Sequence, residues 1–190
     1  GIGEDYVDLT IRKVGKVTNE VFTKYKGDKL FLRGPYGNGF DVENYKGREV
    51  VIVAGGTGLS PVKGIVDYFS KNPQDATSTR VIAGFKSPKD MLFKEDMKEW
   101  EKNINFTLTV DSAEEGYEGN VGLVTKYIPE LKFEDMDTAQ VIVVGPPMMM
   151  KFTVAEFLKL GMKEENIWIS HERKMCCGLG KCGHCRIDDT

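Results

Sequence analysis

The feature that most constrains the fold is a rhythm that begins after Gly47, where short apolar runs alternate with longer amphipathic segments. The runs are EVVIVAGG (49–56), RVIAGF (80–85), NFTLTV (105–110), AQVIVVG (139–145) and NIWIS (166–170). A strand with one wet face alternates apolar and polar residues, whereas a continuous apolar run marks a strand covered on both faces. Between the runs, helices are predicted from about Leu59 to Ser70, burying Val62, Ile65, Val66 and Phe69, and around Phe93–Lys102. A short one is predicted at 123–128, and a longer one over Met148–Leu160 with Met148, Phe152, Ala155 and Leu158 on one face. Strands and helices alternating at this spacing predict right-handed βαβ units in a parallel, doubly wound α/β sheet.

The chain before residue 47 reads differently. Val7, Leu9 and Ile11 alternate with Asp8, Thr10 and Arg12, so residues 5–14 are expected to form a half-buried strand. After Gly15, the segment VTNEVFTKY makes at most a short helical turn with Thr18 as its N-cap. KLFLR (29–33) reads as another strand and GPYGNGF as its turn, which together predict antiparallel β structure up to Tyr45. From His171 a third region carries all four cysteines.

Composition narrows the function classes. Lysine and arginine number 26 against 29 aspartate and glutamate, a net charge of −3, which excludes a polybasic nucleic-acid binder. The apolar runs are far too short to span a bilayer, and GIGEDYVDL has neither the basic nor the apolar stretch of a secretory signal. A soluble cytoplasmic protein is expected. No HExxH, GxSxG or kinase motif set is present, which argues against metalloprotease, hydrolase or kinase chemistry.

Two turns after strands are candidate binding sites. In AGGTGLSP (54–61), Gly55, Gly56 and Gly58 are free to take positive φ and let a phosphate approach the backbone, and the next helix offers unpaired N–H groups. Strand–GGxG–helix is the geometry of a nucleotide pyrophosphate site; the bland alternative is a turn that only packs helix on strand. In VVGPPMMM (143–150), a buried strand ends at Gly145–Pro146–Pro147 and a helix starts at once. Ligands of open α/β sheets bind at the carboxyl ends of strands, so both turns are placed to face one crevice, with Met148 and Met149 against a planar ring. Proline at a helix start with methionines in the core is the alternative. GFKSPKD (84–90), after the second run, offers Lys86, Ser87 and Lys89 to a 2′-phosphate. Asp111 reads as structural or ribose-directed, and Thr57 and Ser60 as cofactor hydrogen-bonders.

The cysteines crowd into MCCGLGKCGHC (175–185), beside His171 and His184, the two histidines of the chain. A disulfide framework spreads its cysteines, whereas a tight cluster suggests a metal. Cys177, Cys182 and Cys185 have the spacing C-x4-C-x2-C of the plant-type [2Fe–2S] loop, with Gly178, Gly180 and Gly183 letting amides turn toward the sulfurs. A zinc site of the same three cysteines with a histidine, or reduced thiols without metal, also fit the spacing. Arg173, Lys174, Lys181 and Arg186 either steer an acidic redox partner or form a solvated face.

In chain order, a β segment, GGTGLSP, GPPMM and C-x4-C-x2-C resemble the ferredoxin–NADP reductase superfamily, in the branch that ends in a [2Fe–2S] loop. Within it, ISHERKMCCGLGKCGHCRID, VVGPPMMMKFTV and LRGPYGNGF are most similar to the B subunits of anaerobic sulfite reductases; sulfhydrogenase gamma subunits and dihydroorotate dehydrogenase electron-transfer subunits are relatives. The resemblance implies part of an FAD-binding antiparallel β-barrel domain at 1–47, a nicotinamide-nucleotide domain at 48–170 and the start of the cluster loop at 171–190. A closed barrel of this family takes roughly twice that length, at five to six residues per strand plus turns. Its isoalloxazine motif is thus expected before residue 1, and the fourth cluster cysteine after Thr190. By resemblance Thr10, Ile11, Arg12, Val17 and Thr18 contact FAD, and Gly55, Gly56, Thr57, Gly58, Gly145, Pro146 and Met148 contact the nicotinamide nucleotide. Cys177, Cys182 and Cys185 would ligate the cluster. Val144 stands where the family often carries cysteine, and no side-chain catalyst is implied.

The implied enzyme is an NAD(P)H-dependent oxidoreductase subunit. It would pass electrons from NADH, with NADPH as the variant, through FAD and a [2Fe–2S] cluster to a catalytic reductase subunit. That partner is expected to be a sulfite reductase, with a ferredoxin-like subunit as a possible further partner. A sulfhydrogenase or dihydroorotate dehydrogenase role is the alternative. A zinc-stabilised nucleotide-binding interaction module is the alternative of another class.

Overall fold

The computed structural model describes residues 6–25, 27–171 and 175–185. Two compact units divide the chain: Phe40–His171, and Gly1–Gly39 together with Glu172–Thr190.

The first of these units is built on six parallel strands: β1 (Glu49–Gly55), β2 (Ser78–Phe85), β3 (Asn105–Val110), β4 (Asn120–Val121), β5 (Gln140–Val144) and β6 (Ile167–Ser170). Their order across the sheet is β4-β3-β2-β1-β5-β6. The chain winds outward from β1 through β2 to β4, then returns to the other side of β1 for β5 and β6. Crossovers leaving β1 and β5 in opposite directions make a topological switch point, and a crevice opens outside the carboxyl ends of those strands.

Helices cover both faces of the inner strands, which is why β1, β5 and most of β2 are buried and largely apolar, while β3 and β6 are only partly covered. Val50, Ile52 and Ala54 of β1 point to one layer, under Val62, Val66 and Phe69 of α2 (Leu59–Lys71) and Met97 and Trp100 of α3 (Lys94–Asn103). Val51 and Val53 point to the other, with Val141 and Val143 of β5, Met150 and Phe157 of α4 (Pro147–Lys159), and Val124 and Ile128. The segment expected as a short helix at 123–128 is a 3-10 turn, Val124–Tyr127.

The expected apolar face of α4 is wrong. Met150, Thr153 and Phe157 are buried, while Met148 is 59% and Phe152 55% exposed. Pro146 and Pro147 fix where the helix begins, and from that start the Met150–Phe157 stripe faces the sheet. Met148 and Phe152, four residues apart, share a different face.

At the amino ends of the strands lies a buried ion pair. Glu49 Oε1 meets Arg80 Nη2 at 2.8 Å, with the two side chains only 6% and 13% exposed. Glu49 Oε2 accepts from the amides of Glu134 (2.8 Å) and Asp135 (3.0 Å), and Arg80 donates to the Lys132 carbonyl. One carboxylate thereby ties β1 and β2 to the segment leading into β5.

In the other unit, neither 6–14 nor 29–33 forms a regular strand among the described residues, apart from a single bridge position at Val7. Alternation selects a face to bury but does not supply a ladder partner, and Phe31 is 99% exposed. What forms instead is a helix longer than expected, α1 (Lys16–Lys24). Thr18 is not its N-cap; Gly15 is. The Thr18 hydroxyl, at the third helical position, accepts from the amides of Gly15 (2.9 Å) and Val14 (3.0 Å) and donates to the Gly15 carbonyl (3.1 Å).

Candidate functional site

The switch point holds a cleft of about 640 Å³ lined by residues from the ends of four strands. Gly55 and Gly56 come from the β1 turn, Gly84, Phe85 and Lys86 from β2, Asp111 from β3, and Pro146, Met148, Met149, Phe152 and Glu156 from the β5 turn and α4. Leu123, Val124 and Thr125 close one side. A slightly larger hollow of about 700 Å³ lies at the opposite, amino ends of the strands, around Glu49, Arg80, Lys102 and Lys132. The carboxyl-end cleft is the candidate site, because there the strand-to-helix turns present their backbone and helix α2 its N-terminus.

The three glycines of the β1 turn divide the work differently from expectation. Only Gly56 has a positive φ, +56°, with nothing within 4 Å of where a Cβ would stand, so this backbone faces open space. Gly55 and Gly58 have negative φ. They are small for packing: a Cβ on Gly58 would overlap the Val144 carbonyl, 2.7 Å from its carbon and 2.9 Å from Gly145 Cα. Absence of a side chain there lets the β1 turn sit directly on the end of β5. Gly145 is close-packed mainly by a side chain, with Met149 Sδ 2.9 Å and Gly55 N 3.1 Å from its Cβ position, so Met149 fills the space between the two turns. Thr57 is exposed between Gly56 and buried Gly58. Ser60 Oγ is buried with no hydrogen-bond partner among the described residues.

Of the seven residues expected at the nicotinamide nucleotide, Gly55, Gly56, Pro146 and Met148 line the cleft; Gly58 and Gly145 instead bring its two turns together. Sequence reasoning missed Gly84, Val124 and Thr125, and placed Phe152 in the core. Gly84 is the one with a local signal, a lone glycine in a buried strand. A Cβ on it would overlap a Val124 methyl group, so the glycine lets the 124–127 turn approach β2.

Lys86, Asp111 and Glu156 bring charges of both signs to the cleft. Burial pushes the Asp111 carboxyl above its ordinary value. Its amide donates to the Phe85 carbonyl at 2.8 Å, locking the end of β3 to β2. Of the cations expected to hold a 2′-phosphate, Lys86 lines the cleft, but Lys89 pairs with Glu114 at 3.0 Å and Ser87 Oγ donates to Asp90 at 2.7 Å.

The other unit contains α1 and the described part of the cysteine loop. Thr10, Arg12 and Val17 are exposed, and Ile11 and Thr18 half-buried. No acidic residue occupies the first turn of α1, and the amides of Lys16 and Val17 open it. In the loop, Gly178, Gly180 and Gly183 have φ of +72°, +72° and +75°, and the Leu179 amide donates to Cys177 Sγ at 3.3 Å. Amides turned onto sulfur by glycines at positive φ are the backbone arrangement a [2Fe–2S] cluster requires. All four thiols are free. Hydrogen bonds from the His184 and Cys177 amides pull the Cys182 thiol down to about 7. Cys176, Cys182 and His184 place their ligand atoms within 4.8 Å of one another, a group that includes neither Cys177 nor Cys185. Arg173, Lys174 and Arg186 lie outside the described residues. Among the described residues no helix is long and apolar enough to cross a membrane.

Comparison with known proteins agrees with this geometry. Residues 52–155 match the family model of the oxidoreductase NAD-binding domain. Sulfhydrogenase 1 subunit gamma of Pyrococcus furiosus is 32% identical over 96% of this chain and 63% of its own length. The probable dihydroorotate dehydrogenase B (NAD(+)) electron transfer subunit of Thermococcus kodakarensis is 33% identical over 98% of this chain and 74% of its own. The chain thus spans about two thirds of the length of these curated relatives. Among solved structures, an NADH-dependent reduced ferredoxin–NADP oxidoreductase superposes with a TM-score of 0.71 at 30% identity, covering 93% of this chain and 59% of that one.

Proposed function

The chain belongs to the oxidoreductase NAD-binding family within the ferredoxin–NADP reductase superfamily, and we propose that it is an electron-transfer subunit linking NADH to a partner enzyme. The observation that carries the reading is the strand-end cleft, open at Gly56, floored by Met149 and flanked by Met148 and Phe152. A dinucleotide pyrophosphate fits against Gly56 and the start of α2. Met148 and Phe152 then present a flat, apolar wall to the nicotinamide ring. The chain's contribution is positioning: it holds the ring, excludes water and needs no side-chain acid or base.

NADH fits better than NADPH. Asp111 in the cleft accepts ribose hydroxyls but repels a 2′-phosphate, and of the three groups expected to hold that phosphate only Lys86 lines the cleft, Lys89 and Ser87 being engaged elsewhere. In the other unit, the start of α1 with Thr10, Ile11, Arg12, Val17 and Thr18 suits a flavin pyrophosphate, and Cys177, Cys182 and Cys185 suit a [2Fe–2S] cluster. Bound FAD would supply the conversion between a two-electron hydride donor and a one-electron acceptor. On this reading residues 1–47 contribute to the flavin domain and 48–170 form the nucleotide domain. The partner is a catalytic subunit. The relatives favour the kind served by sulfhydrogenase or dihydroorotate dehydrogenase electron-transfer subunits over a sulfite reductase.

A second reading is favoured by the grouping of Cys176, Cys182 and His184: a zinc-stabilised nucleotide-binding module. The experiment that separates them is metal and sulfide analysis of anaerobically purified protein with parallel NADH and NADPH titrations. Iron with acid-labile sulfide and at least about tenfold tighter NADH binding, or 1.4 kcal/mol, supports the relay. One zinc per chain without sulfide supports the module, and a preference for NADPH overturns the role given to Asp111.

A further inference from the structure

We propose that Arg33 and Tyr36 are positioning residues for Cys177, holding that ligand in place from a segment 144 positions away in sequence. The inference rests on the reading of the loop as an iron–sulfur site. Arg33 Nη2 donates to the Cys177 carbonyl at 2.8 Å, while its Nε donates to the Tyr36 hydroxyl. The guanidinium lies 5.2 Å from the centre of the Tyr36 ring, within cation–π reach, so the two side chains form one contact unit. The ring in turn covers Gly178: a Cβ on that glycine would stand 2.9 Å from two ring carbons. Gly178 also has φ +72°, so glycine is required there both by backbone conformation and by the tyrosine above it.

Cys177 is thereby held on two sides, its carbonyl by Arg33 and its sulfur by the Leu179 amide at 3.3 Å. It is the one cysteine of the four that is not exposed. A planar guanidinium fork can bond two acceptors at a fixed angle, which a lysine ammonium cannot reproduce. The same fork brings a permanent positive charge to the backbone of a sulfur ligand. Reduction adds an electron to the cluster, so a nearby cation favours the reduced form and raises the potential.

The test uses Arg33→Gln, Arg33→Lys and Tyr36→Phe in the protein reconstituted with iron, sulfide and FAD. Arg33→Gln is expected to lower the cluster midpoint potential by up to a tenfold change in the one-electron equilibrium, which is 59 mV. Arg33→Lys, which keeps the charge and loses the fork, lowers it less. Independently of any cluster, mass-mapped alkylation of the metal-free protein reads the clamp directly. Cys177 is expected to react at least about tenfold more slowly than Cys176 and Cys185, and to approach their rate in Arg33→Gln. Equal alkylation rates in the parent protein, or an unchanged potential in Arg33→Gln with full iron loading, overturn the proposal. Failure of the parent to take up iron and sulfide, with Cys177 still protected through Arg33, would instead overturn the iron–sulfur reading and leave the clamp standing.

Discussion

A methyl group added at Gly58 has nowhere to go. In Gly58→Ala the new carbon falls 2.7 Å from the Val144 carbonyl carbon and 2.9 Å from Gly145 Cα, where ordinary contact begins near 3.4 Å. The obstacle is backbone at the end of strand β5, its carbonyl oxygen nearest of all, not a side chain that can rotate aside, so the β1 and β5 turns must part by at least about 0.7 Å. Overpacking of this kind costs about 1–3 kcal/mol, and a backbone obstacle puts this site in the upper half of that range. For a chain of this length each kcal/mol moves Tm by about 2–4 °C, so a fall of about 4–12 °C is expected. The two turns are also the floor of the cleft, and parting them is expected to weaken NADH binding about tenfold or more in the protein that remains folded. Gly64→Ala is the control. It sits exposed on α2 with nothing within 4 Å of its Cβ position, and is expected to gain about 1 kcal/mol from helix propensity without changing NADH affinity. Thermal unfolding with an NADH titration of each variant tests the argument. A Gly58→Ala protein with parental Tm and affinity would refute it.

Glu49→Ala leaves Arg80 buried without its partner and two amides without their acceptor, and is expected to cost about 3–5 kcal/mol by chemical denaturation. It should leave the NADH affinity of the folded fraction unchanged, because the pair lies at the amino ends of the strands. Asp111→Asn is expected to relax the preference for NADH over NADPH about tenfold in competitive titration. Its effect on stability has a definite sign. A carboxyl raised above 3.8 by burial binds its proton more tightly in the fold, so its contribution is complete below pH 3.8 and is lost as pH rises through the raised value. The asparagine variant should therefore unfold at slightly higher temperature than the parent at neutral pH, with the difference closing below pH 3.8.

The parallel sheet was legible because burial on both faces removes polar residues from a strand and leaves an unmistakable run. β1, β2 and β5 fall on such runs, and β3 and β6 on runs that are only partly buried. β4 was not legible: it is two residues long and owes its place to side chains, Thr109 Oγ1 donating to the Gly122 carbonyl at 2.7 Å and Asn120 Nδ2 to the Leu108 carbonyl at 2.9 Å. The face of α4 was misread because hydrophobicity does not distinguish a core residue from a cleft wall, and Met148 and Phe152 are the second kind. In 6–14 the alternation is real and in 29–33 the apolar run is, yet a strand exists only when another pairs with it. The glycine and proline turns of the site were visible as local chemistry. Gly84 has a local signal as a lone glycine in a buried strand, but its contact with Val124, like that of Arg33 with Cys177, joins distant segments and no local pattern encodes it.

The central claim, a path from NADH to a sulfur-bound metal centre, is tested most directly by the visible absorption spectrum of the anaerobically purified protein before and after NADH. Flavin bands on an iron–sulfur background, both bleached by NADH, are expected. A colourless protein that contains zinc and ignores NADH would contradict the claim.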